Sequence, residues 1–505
     1  MSFEEVAALR KTDPEAAYAM AKDELALKPG SEEAKLALAW VLYDRLKNAT
    51  DPERLDDFVG ILHEISALQL DEEGKMINNQ LCWLIGKIVF DYTKNAEFNS
   101  EDLEPLLDVT MTLDFTRPSK AYSIMFKAFN KAFKETPAYI RLVDWWGLEN
   151  FLHEDFGKAT FGDRVEKRPI AEQAYLNYSG QLTELADASS GEELEEIRDK
   201  IVDFLPRIGE IVRTKPAFKY LPPQIRLLVS MLGEGDDALD RVIPFVRQRQ
   251  SEYWIWDAIA NLFPDDTETR LAFLSKAVQC KARDTKLIPT RIRLVETLLE
   301  AGYQAEAKTE IERIDKICEE YGLNTPTKLD QWVGEEWYSS QSTGGNSMGL
   351  YRRYANQADE IIFGDVPEDL VVVENVNDEK RTLNFLKTDR TQGFFNYSRF
   401  LKRVKVGDIL RLRMQETHQE GRYNIFTLQK VDEEFLEGIL QPFEGSVTNP
   451  MDKSFGFVNS MFIPPDVYVM NNLRHGDYVS GKAIVSYNKK KDEWGWKVIA
   501  LIKNW

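Results

Sequence analysis

Apolar residues recur three and four positions apart from Phe3 to about Gly322, and from Leu370 onward they recur at every second position. The first spacing lines one face of an α-helix, and the second lines one face of a β-strand. Asp13 and Pro14 open a helix with proline just inside it. Ala17, Ala21 and Leu25 follow at helical spacing until Pro29 and Gly30 stop it. Ser31 and Glu33 open the next helix, which carries Leu38, Ala39 and Leu42. Further along, Lys120 to Phe133 predicts a strongly apolar helix, and Tyr139 to Phe151 carries Trp145 and Trp146. The stretch has few β-branched runs and no hairpin signals.

The run Ser339 to Ser347 is small, polar and glycine-rich, so it cannot bury a core. A helix is predicted from Met348 to Phe363, ended by Gly364 and Pro367. Five short strands follow: Val371–Val373, Thr382–Leu386, Gly393–Ser398, Ile409–Met414 and Tyr423–Leu428. Five short strands suggest a small barrel. A second set includes Lys453–Val458 and Asp466–Met470, read as adjacent strands, and Trp496–Leu501 as the last strand. On that reading Phe455 and Phe457 share a face, as do Tyr468 and Met470, with Lys453 at the edge.

The helix pair around Ala17, Pro29, Leu38 and Ala39 resembles a tetratricopeptide repeat, which has a period of about 34 residues. Weaker echoes lie at Ile85-Gly86 and from Pro289 through Gly302-Tyr303 to Tyr321. The segment from Glu437 to Trp505 resembles a cold-shock domain, an OB-type barrel. That resemblance places Lys453, Phe455, Phe457 and Tyr468 at base-stacking and backbone-contacting positions. The tryptophan that the family carries before its first motif is absent here, and Met470 stands where it has a histidine. The preceding barrel resembles a degenerate copy of the same cold-shock or S1-like module. By that likeness Phe385 corresponds to Phe457, Phe394 to Tyr468, and Val406-Gly-Asp408 to the loop Arg474–Asp477; Asn396 and Tyr397 fill the polar and aromatic positions that follow. The expected fold is multidomain. An all-α, tetratricopeptide-like solenoid spans 1–338, and a polar linker with a connecting helix spans 339–367. A degenerate OB/S1-like barrel (368–434) and a cold-shock-like OB barrel (435–505) complete it. The combination resembles repeat proteins with S1/cold-shock-like C-terminal domains of bacterial conflict systems of the TOTE kind, and an antiphage role is what that resemblance implies.

Charge narrows where nucleic acid could touch the chain. The formal net charge is −20. Residues 368–505 hold 20 Lys+Arg and 19 Asp+Glu, so the helical part carries the whole deficit. An acidic surface repels phosphate, which confines any contact to the C-terminal part. There Arg399, Lys402, Arg403 and Lys405 follow the first aromatic strands and, with Arg411 and Arg413, form the most basic cluster. Cations beside exposed rings suit an unpaired strand, whose bases stack while its phosphates pair. A solvated surface is the alternative for the cations, and packing against a neighbouring domain is the alternative for the rings. Lys489 to Lys491 is expected in a strand-connecting loop within reach of phosphate.

Chemistry beyond binding finds little support. Cys82, Cys280 and Cys318 are far apart and have neither disulfide-framework nor zinc spacing. They read as reduced thiols of a cytoplasmic protein. The start of the chain lacks a secretory pattern, and no apolar run approaches the length of a membrane helix. No phosphate loop, zinc helix or nucleophile elbow occurs, and the four histidines are scattered. No catalytic residue, metal ligand or cofactor is therefore expected. The tryptophans read as packing between helices, with an aromatic pocket as the alternative. Three functions stay open: a non-enzymatic adaptor that binds single-stranded RNA or DNA through the barrels and a protein partner through the solenoid; a pure protein scaffold; and a nuclease built from distant solenoid carboxylates.

Overall fold

The structure, a computed structural model, describes residues 3–71, 74–158, 160–161, 164–165, 168–342, 347–450, 453–488 and 492–503. The chain divides into two compact units: residues 1–242 with 257–264, and residues 243–256 with 265–505.

The first unit is helical apart from a two-residue strand pair, Thr160–Phe161 with Arg164–Val165. Its opening helices form where the sequence caps them. Asp13 accepts from the Ala16 N–H at the head of Pro14–Leu27, and Ser31 accepts from the Ala34 N–H at the head of Glu32–Asn48. Ala17, Ala21 and Ala39 are wholly buried where these two helices meet, because small side chains let the backbones approach. Deeper in the unit Trp146 is wholly buried, with its ring 5.3 Å from that of Tyr122 and 4.4 Å from that of Phe126. Packing is thus the role of Trp146.

The second unit begins with helices and ends with two small β-domains. Asp284–Glu300 and Gln304–Tyr321 pack on each other around an ion pair between Arg291 and Glu310, 2.7 Å apart and almost fully buried. The helix Ser347–Phe363 does more than connect. Tyr351, Ala355, Ala358 and Ile362 bury one face of it, and the Gln279 amide donates to the Tyr351 carbonyl at 2.7 Å. Its last residue, Phe363, stacks on Phe426 of the first β-domain with centroids 5.1 Å apart. Residues 343–346 of the polar run before it lie outside the described residues.

The first β-domain comprises β1 (Glu368–Asn377), β2 (Thr382–Lys387), β3 (Gln392–Asn396), β4 (Ile409–Glu416) and β5 (Tyr423–Val431). The sheet order is β3-β2-β1-β4-β5, all antiparallel. Its ends meet where the Phe394 N–H donates to the Gly421 carbonyl at 2.8 Å, in a parallel bridge between Phe394 and Arg422. The second comprises β6 (Leu440–Thr448), β7 (Gly456–Val458), β8 (Met461–Ile463), β9 (Tyr478–Asn488) and β10 (Glu493–Lys503). It is a closed barrel in the order β8-β10-β9-β6-β7, with β8 and β10 parallel. Both domains therefore have the same winding, that of a five-stranded OB-type barrel.

Period-two alternation sorts the side chains. Val371, Val373, Leu383, Phe385, Phe395 and Leu410 fill the first core; Val447, Val458, Ile463, Val479 and Val498 fill the second. A third apolar cluster joins the two domains. It sets Val372, Leu386 and Ile409 against Leu436, Ile439, Leu440, Ile484 and Val485.

One expected strand is a helix. Residues Pro465–Met470 form a short helix between β8 and β9. Pro464 and Pro465 fix the backbone for a helical start, and the Tyr468 N–H donates to the Pro464 carbonyl at 2.9 Å. The alternation of Val467 and Val469 with Tyr468 and Met470 fits period two, but five residues fit a helical turn as well.

The two loops that the sequence equates have the same geometry. Gly407 and Gly476 have φ of +87° and +86°. Asp408 accepts from the Lys405 N–H at 2.8 Å and pairs with Lys430 at 2.8 Å. Asp477 accepts from the Arg474 N–H at 2.7 Å and pairs with Lys503 at 2.8 Å.

Candidate nucleic-acid interface

The outer face of the second barrel carries three rings. Phe455 stands before β7, Phe457 is its middle residue, and Phe462 is its register partner on β8. Their centroids lie 5.7 to 6.0 Å apart, and all three are half-buried. Gly456 makes this arrangement possible. A Cβ there would sit 2.9 Å from the Tyr468 ring and 3.0 Å from the Thr448 carbonyl. The Lys453 ammonium lies 5.6 Å from the Phe455 centroid. On the other side Lys497 of β10 pairs in register with Phe462 and is exposed. An apolar patch of mutually tilted rings is thus flanked by two cations.

Tyr468 is absent from that patch, contrary to the sequence reading. It is buried in the barrel core, on the short helix, and its hydroxyl accepts from the Asn449 amide at 2.6 Å. Its place is taken by Phe462, which the sequence reading missed. The available signal was Asn459-Ser460 between Val458 and Met461, a two-residue hairpin turn. Both turn residues have positive φ, 48° and 66°.

The first domain requires the same kind of correction. Phe385 and Tyr397 are wholly buried, and the Tyr397 hydroxyl donates to Asp378 at 2.8 Å. The supposed equivalence of Phe385 with Phe457 is one residue out of register, and a slip of one moves a strand residue to the opposite face. Asn384 is the outward residue of β2, and it pairs with Phe394 of β3. The Asn384–Phe394 pair stands where the second domain has Phe457–Phe462, and Arg422 stands beside Phe394 as Lys497 stands beside Phe462. Phe394, Arg399 and Arg422 line one hollow of about 420 Å³. Lys402 and Arg403 are exposed on the loop after β3. Arg413, by contrast, is buried and paired with Glu360 at 2.9 Å, so it serves packing. Lys489 to Lys491 lie outside the described residues.

Comparison with known families bears on this geometry. Residues 363–426 match the model of S1/CSD-like domain 1 of the TOTE conflict systems, and residues 441–501 match that of domain 2. The C-terminal region is a tandem of TOTE-type S1/CSD-like domains. Residues 219–358 match a domain of unknown function, DUF7017. No curated protein matches the chain. Within the S1/CSD-like pair, domain 2 holds the three-ring patch, and in domain 1 Phe394 shares its hollow with Phe400, Tyr423, Arg399 and Arg422.

Other chemistry stays in the background. Burial pushes the Cys82 and Cys280 thiols up to about 12, so neither supplies a thiolate near neutral pH. Among the described residues no three His, Cys, Asp or Glu side chains gather as a metal site. No described helix is long and apolar enough to cross a membrane.

Proposed function

We propose that the protein is a non-enzymatic adaptor of a TOTE-type conflict system, whose S1/CSD-like pair binds single-stranded nucleic acid, RNA foremost, while the helical region holds a protein partner. The observation that carries the reading is the Phe455, Phe457 and Phe462 patch between Lys453 and Lys497. Half-buried rings at about 6 Å spacing offer faces to successive bases, and flanking cations take the phosphates. A duplex hides its base faces and cannot use such a patch. The acidic helical region would exclude bulk coating by nucleic acid and leave its surface to protein.

The test is binding of the full chain to labelled single-stranded RNA, single-stranded DNA and duplex DNA across a salt series, read by fluorescence anisotropy. Single strands should bind and duplex should not. Phe457→Ala and Phe462→Ala should each weaken single-strand binding by about 1–3 kcal/mol, the usual stacking contribution per base. Tyr468→Phe, which loses only the bond from Asn449, should bind like the unmodified chain. Equal binding by the two alanine variants and the unmodified chain would remove the patch from the interface. Absence of binding at low salt would leave the protein scaffold as the function.

A further inference from the structure

A cleft of about 570 Å³ opens between the two S1/CSD-like domains. Its lining differs from that of the aromatic patch. Phe394 and Gly393 come from domain 1, as do Asn375, Asn384, Gln392 and Glu374; Ser486 and Lys497 come from domain 2. The glycine is enforced, since a Cβ at Gly393 would lie 2.5 Å from Phe385 and 2.7 Å from Tyr423. Its bare backbone makes room for the Phe385 and Tyr423 rings behind the strand that carries Phe394.

Glu374 is fixed across the cleft. One carboxylate oxygen accepts from the Ser486 hydroxyl at 2.9 Å and the other from the Gln392 amide at 2.9 Å. Each oxygen retains a further lone pair. The exposed amides of Asn375 and Asn384 stand on the same wall. Glu420 adds a second carboxylate to the lining, so a phosphate would meet repulsion there. A neutral group with N–H donors would not.

Continuity with the patch says what that group is. Lys497 lines the cleft and is also the register partner of Phe462. Lys497 thus joins the patch around Phe462 to the cleft that Phe394 lines. The cleft volume lies in the range of pockets that hold a small ligand, so a single base fits.

We propose that this cleft reads the edge of one base of the bound strand and selects a base bearing an exocyclic amine over uracil. The inference rests on the single-strand reading above and deepens it. Phe394 supplies the stacking face. Glu374 accepts from the amine, as carboxylates accept from cytosine N4. Asn384 and Asn375 pair with the remaining edge atoms. Uracil sets two carbonyl oxygens on either side of its single N–H, and these face the carboxylate unfavourably.

The experiment titrates the full chain with fluorescently labelled oligocytidylate and oligouridylate RNA dodecamers under one buffer. Oligocytidylate should bind at least about fivefold more tightly, the lower end of what one good base-edge contact gives. Asn384→Ala and Glu374→Gln should bring that ratio toward one. Asn384 is exposed, so its variant keeps the fold, and a thermal melt checks this. Equal affinity for the two dodecamers, or a ratio unchanged in Asn384→Ala, overturns the inference. If both dodecamers bind equally and Phe462→Ala weakens both, the patch stands and the cleft alone is refuted. If neither binds, the single-strand reading falls and the cleft falls with it.

Discussion

Asp477 shows how one carboxylate can organise a whole loop. It accepts from the Lys503 ammonium and from the Arg474 N–H, and these hold its carboxyl below the usual carboxylate range, with the lysine contributing most. A carboxyl depressed in the folded state stabilises that state above its unfolded value of about 4, and the contribution fades as pH falls through the folded value. Asp477→Asn should therefore lower the melting temperature near neutral pH. The gap between variant and unmodified chain should close as the buffer is taken below about pH 4. A gap that stays constant across the series would mean that the carboxylate is not the cause. Asp408 occupies the same place in domain 1, with Lys430 as its partner.

Among the helices, the pair Asp284–Glu300 and Gln304–Tyr321 depends on Arg291 and Glu310. Glu310 is wholly buried and also meets Arg313 at 3.4 Å. Removing one partner of a buried ion pair leaves the other charge uncompensated, at a cost of about 3–5 kcal/mol. Glu310→Ala should lose about that much in denaturant unfolding, and a loss under 1 kcal/mol would mark the pair as effectively solvent-exposed. Elements of this length were legible in the sequence, because a helix of four or five turns repeats its spacing several times. The short element Pro465–Met470 was not legible from alternation, although its two prolines pointed the right way. The site followed the same rule. Phe455, Phe457 and Lys453 are expected side by side from one motif, and the structure sets them together. Phe462, Asn384, Arg422 and Lys497 become neighbours only through strand pairing and barrel closure. Phe385, Tyr397 and Tyr468 were misread because an aromatic residue in a barrel strand serves core or surface according to a register that the sequence alone does not fix.

At the scale of the molecule, charge and apolar area divide the work. Residues 1–367 carry a net −21 and residues 368–505 a net +1, so the weakly charged pair of domains is where a polyanion meets least repulsion. Within that pair the cluster of Val372, Leu386 and Ile409 against Leu440 and Ile484 is a core in its own right. Leu440 is wholly buried, and Leu440→Ala should cost about 2–5 kcal/mol. If the cluster couples the domains, calorimetry will show one transition for the pair, moved as a whole. Two separated transitions with only one moved would show that each domain folds alone. A pair joined in this way gives up the freedom of two beads on a string. Under the single-strand reading proposed above, a fixed separation between Phe462 and Phe394 would make the pair a ruler, and a gap or an abasic site in the strand should weaken binding at one nucleotide offset only.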